Sequence, residues 1–205
     1  DTFSCSWAGE WDIQLGQEVG VGYYGPNGHW VANAITVASI VASAEGDWFW
    51  TSGFSPQASL NISIHESKDP GAALLWEGSK TANGDGFVNV DSSDHSLDLQ
   101  PGDYLTVSDG VVKKGLVLES ITIDLFDVKQ DVVAGTAPPG RMVRVAVGTT
   151  PDYEVMHTTA DQESGAWTAD FNTIPFDITE EMRPGSFAQI FDDDGDANEA
   201  GSPEG

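Results

Sequence analysis

The chain has 205 residues, 40% of them apolar, which is enough for one or two modest hydrophobic cores. Its 33 acidic side chains against eight Lys plus Arg give a formal charge of −25, which excludes the basic patches that nucleic acid and anionic lipid require. No run of about 18 apolar residues is present to span a membrane as a helix, and a single cysteine, Cys5, excludes an intramolecular disulfide.

Val, Ile, Thr, Ser and Gly are abundant, and no long window carries apolar residues at helical spacing, so the predicted class is all-β. Residues 1–34 open with Trp11-Asp12-Ile13-Gln14-Leu15-Gly16, an apolar-Asp-apolar arch. An alternating strand through Val19, Val21 and Tyr23 follows, then an Asn27-Gly28 turn and a strand from Trp30. This reads as the closing hairpin of an incomplete module. The start at Asp1 rather than Met leads to the expectation that a leader has been removed. Trp7, Trp11, Tyr23, Tyr24 and Trp30 concentrate in this short piece. A two-stranded hairpin is marginal alone, so these aromatics are expected to be buried at an interface.

Residues 35–119 read as a complete β-sandwich. Its predicted strands are Ile35–Val41, Trp48–Thr51, Leu60–His65, Leu74–Glu77, Phe87–Val90, Tyr104–Ser108 and Val111–Leu118, separated by Pro, Gly and Asx turns. The arch returns here as Leu97-Asp98-Leu99-Gln100-Pro101-Gly102, before the turn Asp109-Gly110. Three consecutive aromatics, Trp48, Phe49 and Trp50, require at least one ring to face away from the core. Residues 120–205 read as a second sandwich. Asp131-Val132-Val133-Ala134 matches Asp47-Trp48-Phe49-Trp50, and Gly165 matches Gly86. The arch appears a third time at Phe176-Asp177-Ile178, before Asp194-Gly195. Asp12, Asp98 and Asp177 thus recur with a period of roughly 80 residues, which marks tandem modules. Ala200-Gly201-Ser202-Pro203 looks unable to pair, so this module is expected to lack its last strand.

Gly135-Thr136-Ala137-Pro138-Pro139-Gly140 leading to Val143 and Val145, then Gly165-Ala166-Trp167-Thr168, then Asp192-Asp193-Asp194-Gly195-Asp196, resembles the bacterial immunoglobulin-like repeats of large surface and adhesion proteins. The resemblance is good over residues 120–200, partial over 35–118 and limited to the closing hairpin in 1–34. It implies tandem Greek-key sandwiches, an extracellular location and a role as stalk, spacer or adhesive unit. It implies no catalytic residues.

Asp192, Asp194, Asp196, Asn198 and Glu199 place many oxygen donors on one short Gly-containing loop, as Ca²⁺ requires, although the spacing is not that of an EF-hand. The competing reading is a solvated acidic hairpin tip. The cluster Asn83, Asp85, Asp91, Asp94, His95 and Asp98 is expected to make Asx turns. Asp12, Asp98 and Asp177 are expected to cap their arches by accepting backbone N–H bonds. His29, His65, His95 and His157 show no metal-ligand spacing, and no nucleophile-His-acid arrangement is present, so no enzyme is expected.

The functional expectation is a non-catalytic, secreted surface or adhesion protein, with a filament or stalk subunit as its sharper form. Residues 1–34 would then complete the unfinished module of a neighbouring chain; the alternatives are that they complete the last module of the same chain, or that the chain is a fragment of a longer repeat protein. The alternative is a carbohydrate-binding module with a Trp48/Trp50 platform and a Ca²⁺-stabilised loop. Expected partners are therefore another copy, a neighbouring repeat module or a surface polysaccharide.

Overall fold

The computed structural model describes residues 18–91 and 97–202; Cys5, Trp7, Trp11, Asp12, Asp94 and His95 lie outside them. An N-terminal hairpin pairs β1 (Glu18–Tyr24) with β2 (Trp30–Thr36). Seven strands follow: β3 (Ser39–Ser43), β4 (Trp48–Ser52), β5 (Ser59–His65), β6 (Leu74–Thr81), β7 (Val88–Asp91), β8 (Tyr104–Ser108) and β9 (Lys113–Val117). Seven more repeat the pattern: β10 (Leu125–Asp127), β11 (Val132–Thr136), β12 (Met142–Thr149), β13 (Asp152–Thr159), β14 (Ala166–Asp170), β15 (Phe187–Phe191) and β16 (Ala197–Gly201). Two short 3-10 turns, Phe171–Thr173 and Glu180–Gly185, lie between β14 and β15. The all-β expectation holds, N-terminal hairpin included.

The two sets of seven have the same connectivity. The first places β3-β4-β7 opposite β6-β5-β8-β9; the second places β10-β11-β14 opposite β13-β12-β15-β16. Alternation explains why each is a sandwich. Leu60, Ile62 and Ile64 of β5 and Leu105 and Val107 of β8 point to one core, with Phe49, Leu99 and Leu116. Val143, Val145 and Val147 of β12 point to another, with Val133, Trp167, Phe171 and Ile190. The first core draws on residues from Ala38 to Leu118 and the second on residues from Ile121 to Ala200.

Three differences from the sequence reading stand out. The strand expected over Ile35–Val41 is interrupted at Val37 and Ala38, where the chain leaves β2 for β3 and the backbone of Gly53 lies against the Val37 carbonyl. The last module does not lack its closing strand: residues 197–201 form β16 and pair antiparallel with β15 from Ala197↔Phe191 to Gly201↔Phe187. Finally, Asp98 and Asp177 do not cap their arches. Leu97 and Leu99, and likewise Ile178, turn into the cores, so the aspartate beside each is left facing solvent. The arch N–H groups are taken instead by Asp47 and Asp131. Asp47 Oδ1 accepts from Leu99 N at 2.7 Å and Asp131 Oδ1 from Ile178 N at 2.8 Å. Both aspartates sit at positive φ, 51° and 48°, a left-handed turn that Asp tolerates better than most residues.

The expected consequence is a contrast between neighbouring acids. Asp47→Ala should destabilise the protein by about 1–3 kcal/mol, because it strands a backbone donor and strains the turn. Asp98→Ala should stay within about 0.5 kcal/mol of wild type, as exposed substitutions do. Urea unfolding of the two variants reads out the difference; equal losses would contradict it.

Candidate functional site

The two sandwiches are joined through one sheet. β16, already paired with β15, also pairs in parallel with β3 at Ala197↔Val41 and Asn198↔Ala42, which yields a seven-stranded sheet in the order β13-β12-β15-β16-β3-β4-β7. The acid-rich turn lies at this joint. Asp192 Oδ1 accepts from Asp194 N and Asp196 N, both at 2.9 Å, and shapes the turn. Asp196 is fully buried, and its Oδ1 accepts from Ile40 N at 2.8 Å, where the parallel ladder begins. Its Oδ2 makes no hydrogen bond and has the Lys114 ammonium 3.3 Å away. Lys114, itself 8% exposed, also meets Asp194 Oδ2 at 2.6 Å and donates to the Asp194 carbonyl at 3.2 Å.

Asn198 works from the other side of the joint. Its Oδ1 accepts from Glu119 N at 3.0 Å and its Nδ2 donates to Val117 O at 3.1 Å, so one side chain satisfies two backbone groups at the end of β9. Glu199 points to the opposite face of the strand, where Gln189 Nε2 donates to its Oε2 at 2.6 Å and Arg144 Nη1 donates to Gln189 Oε1 at 2.8 Å. Arg141 closes the margin, 2.9 Å from Glu119 Oε2 and 2.9 Å from the Phe191 carbonyl it donates to.

Electrostatics follow burial. Desolvation raises the Asp196 carboxyl to about 6, helped by the nearby Asp192 charge and opposed by the Ile40 N–H and the Lys114 ammonium. Glu199 is raised too, by burial first, against the Gln189 hydrogen bond and the Arg144 charge. The five residues expected to bind Ca²⁺ are thus divided between the turn, the joint and the outer face. Among the described residues no group of three or more His, Cys, Asp or Glu is arranged to hold a metal ion. A cation held by Asp194 Oδ2 and Asp196 Oδ2 would compete with the Lys114 ammonium for those oxygens.

Two further surfaces were singled out by the sequence. Phe49 is buried in the first core while Trp48 and Trp50 lie half-buried on the outer face of β4, and Trp50 stacks on Phe87 with centroids 6.0 Å apart. In the hairpin, Tyr23, Tyr24 and Trp30 are 62%, 75% and 56% exposed, with Trp30 laid across Gly22 and 4.8 Å from the Tyr24 ring. Asn83 behaves as expected of a turn residue, accepting from Asp85 N and Phe87 N. The outer face of β6-β5-β8-β9 carries a shallow polar groove lined by Asn61, Ser63, Glu77, Ser79, Thr106 and Lys113, which no sequence motif had marked. The joint itself escaped the sequence reading because its residues come from four distant segments, and only the turn's acid density signalled it.

No family model matches the chain, and no curated protein matches it. Among solved structures it is similar to one described as "Biofilm associated protein - BSP domain", with 14% identity and a TM-score of 0.29. The match covers 80% of this chain and 28% of that one, so this chain spans about 28% of the length of the structure it matches.

A pH dependence follows from Asp196. Its folded-state pKa of about 6 lies above the unfolded value of 3.8, so the native state binds the extra proton between them. Its contribution to stability is full below about pH 4 and is lost as pH rises through about 6. Asp196→Asn should remove that slope, gaining on wild type across this window by at most about 3 kcal/mol. Thermal melts of both proteins at pH 4, 5, 6 and 7 give the comparison. Parallel curves would refute the assignment.

Proposed function

We propose that the chain is a non-catalytic, load-bearing segment of an extracellular surface protein, in which the two sandwiches act as one rigid spacer. The observation that carries this reading is the direction of the β16–β3 pair. The polypeptide enters the first sandwich at the start of β3 and leaves the second at the end of β16. In parallel strands those two points lie at opposite ends of the pair. Tension along the chain therefore slides β16 past β3 lengthwise and loads their contacts together, rather than peeling them one at a time. The Asp196–Ile40 hydrogen bond and the Lys114 ion pairs lie across the same joint and resist the same displacement. The acidic composition suits such a role outside the cell, where net charge keeps a surface protein soluble.

Assembly by strand donation into the second module is not part of this reading. The vacancy it needed is filled by β16, which has neighbours on both edges. The carbohydrate-binding alternative draws support from the shared outward face of Trp48 and Trp50 and from the stacked Phe87. Tryptophan fluorescence titrated with polysaccharides tests it, and the spacer reading expects no response at millimolar sugar.

Single-molecule pulling between the chain ends is the direct test of the spacer. Wild type should resist until β16 shears from β3, and Asp196→Ala and Asn198→Ala should each lower that first rupture force. Rupture at the same force in all three proteins would sink the proposal.

A further inference from the structure

Lys114 and Asp196 bring a buried amine against a buried carboxyl from opposite sides of the joint. Lys114 is the one buried Lys or Arg among the described residues and belongs to β9 of the first sandwich, whereas Asp196 stands just before β16 in the second. The Asp196 carboxyl is held at one oxygen only. Its Oδ1 accepts from Ile40 N at 2.8 Å, while Oδ2 is buried without a hydrogen-bond partner and lies 3.3 Å from Lys114 Nζ. Lys114 is oriented by a different residue. Its Nζ meets Asp194 Oδ2 at 2.6 Å and donates to the Asp194 carbonyl at 3.2 Å. A plain ion pair leaves unexplained why the buried oxygen of Asp196 accepts no hydrogen bond from the ammonium beside it. The other buried acid, Asp103, shows no such vacancy: its Oδ2 accepts from Gln100 N at 2.9 Å.

We propose that Lys114 and Asp196 condense into an isopeptide bond, an amide from Nζ to Cγ that staples the first sandwich to the second. The geometry supplies the parts such a reaction needs. The amine is held in contact with the carboxyl, whose carbon lies one bond beyond Oδ2. Asp194 Oδ2 sits on the amine as general base, and its side chain is 63% exposed, so protons and water have a path to solvent. The Ile40 N–H points at Oδ1, the oxygen on which negative charge develops.

The condensation balances without a further reactant. Asp194 Oδ2 takes one proton from the Lys114 ammonium and passes it to Asp196 Oδ2, which leaves a neutral amine beside a neutral acid. The nitrogen lone pair forms the bond to Cγ while the carbonyl pair moves onto Oδ1. Asp194 then carries a second proton from the nitrogen to Oδ2, the Cγ–Oδ2 bond breaks, and Oδ2 departs as water. The amide keeps the third proton, and Asp194 ends as the carboxylate it began. Burial favours the product, because an ammonium and a carboxylate both carry a desolvation penalty that the neutral amide does not. Exclusion of water from the seam protects the amide from hydrolysis.

The bond closes a loop that contains β10 to β15. Tension entering at β3 and leaving at β16 then runs through the amide and bypasses the second core. The proposal goes beyond the spacer reading and does not rest on it, since the bond is read by mass without load. The pH dependence traced to Asp196 describes chains in which its carboxyl is still free.

Intact mass spectrometry of the folded 205-residue chain is the test. The expected mass is one water below that of the sequence. Trypsin should leave the Lys114–Gly115 bond uncut, and Lys114 and Asp196 should be recovered in one branched peptide. Lys114→Arg keeps the positive charge but offers no amine nucleophile, and should show its full sequence mass. Asp196→Asn should lose one ammonia in place of water, because the amine then displaces the side-chain nitrogen. Aspartyl-glycine pairs such as Asp194-Gly195 also lose water, by ring closure onto the backbone, and the arginine variant separates the two reactions. A water loss that persists in Lys114→Arg would overturn the proposal. So would the full sequence mass in the folded wild-type chain.

Discussion

The pairing of β16 with β3 fixes how the two sandwiches sit against each other, and it is a short contact for that task. Only two residue pairs form the parallel ladder, so the backbone alone contributes little. The joint is completed by side chains whose polar atoms are matched to backbone groups that would otherwise be stranded as the sheets meet. Asp196 takes the Ile40 N–H, and Asn198 takes both the Glu119 N–H and the Val117 carbonyl. Leaving any of these unpaired in a buried seam would cost about 1–3 kcal/mol. The carboxylate at position 196 comes with a desolvation penalty, visible in its raised pKa, and Lys114 offsets part of that penalty.

The joint is also reciprocal. Lys114 of β9 and Asn198 of β16 occupy equivalent places, each in the penultimate pair of its closing hairpin, Lys114↔Val107 and Asn198↔Ile190. Each reaches across to the other sandwich, Lys114 to the Asp194 carbonyl and Asn198 to the Val117 carbonyl. β3 lies against β9, so the side of the first sandwich that receives β16 is the same side that carries its own closing strand. The edge of β10, equivalent to β3, is guarded differently. Arg183 donates to the Phe126 carbonyl at 3.2 Å and stacks over the Phe126 ring, placing a charge where another strand would add.

Much of this architecture was legible in the sequence, because turns and alternation are local. The match of Asp47 to Asp131 and of Gly86 to Gly165 reflects real equivalence. Gly86 and Gly165 sit at φ 75° and 72°, and a Cβ on either would lie 2.1–2.3 Å from a carbonyl oxygen of the facing strand end. The strand period required at least one of Trp48, Phe49 and Trp50 to face away from the core, and the structure buries Phe49 and turns the two tryptophans outward. What failed was the capping role assigned to Asp98 and Asp177. An aspartate between two apolar residues looks like a cap, yet the same alternation that buries Leu97 and Leu99 turns Asp98 to water. β16 was missed for a related reason. Ala197-Asn198-Glu199-Ala200-Gly201 has no β-branched or aromatic residue; its inner face carries Ala200 into the second core and Asn198 into the polar seam, and on its outer face Glu199 meets Gln189.

The same position separates the hairpin from the two complete sandwiches. Where β9 has Lys114 and β16 has Asn198, β2 has Val31, and where β16 is preceded by Asp196, β2 is preceded by His29. The polar side chains at this position reach across the joint, and the valine has no group with which to do so. Val31 and Tyr23 are 50% and 62% exposed, whereas Asn198 and Ile190 at the matching positions are buried. A valine in place of Asn198 would strand the Val117 carbonyl and the Glu119 N–H. Three hairpins of common design thus differ at one position, which is buried in β9 and β16 and exposed in β2.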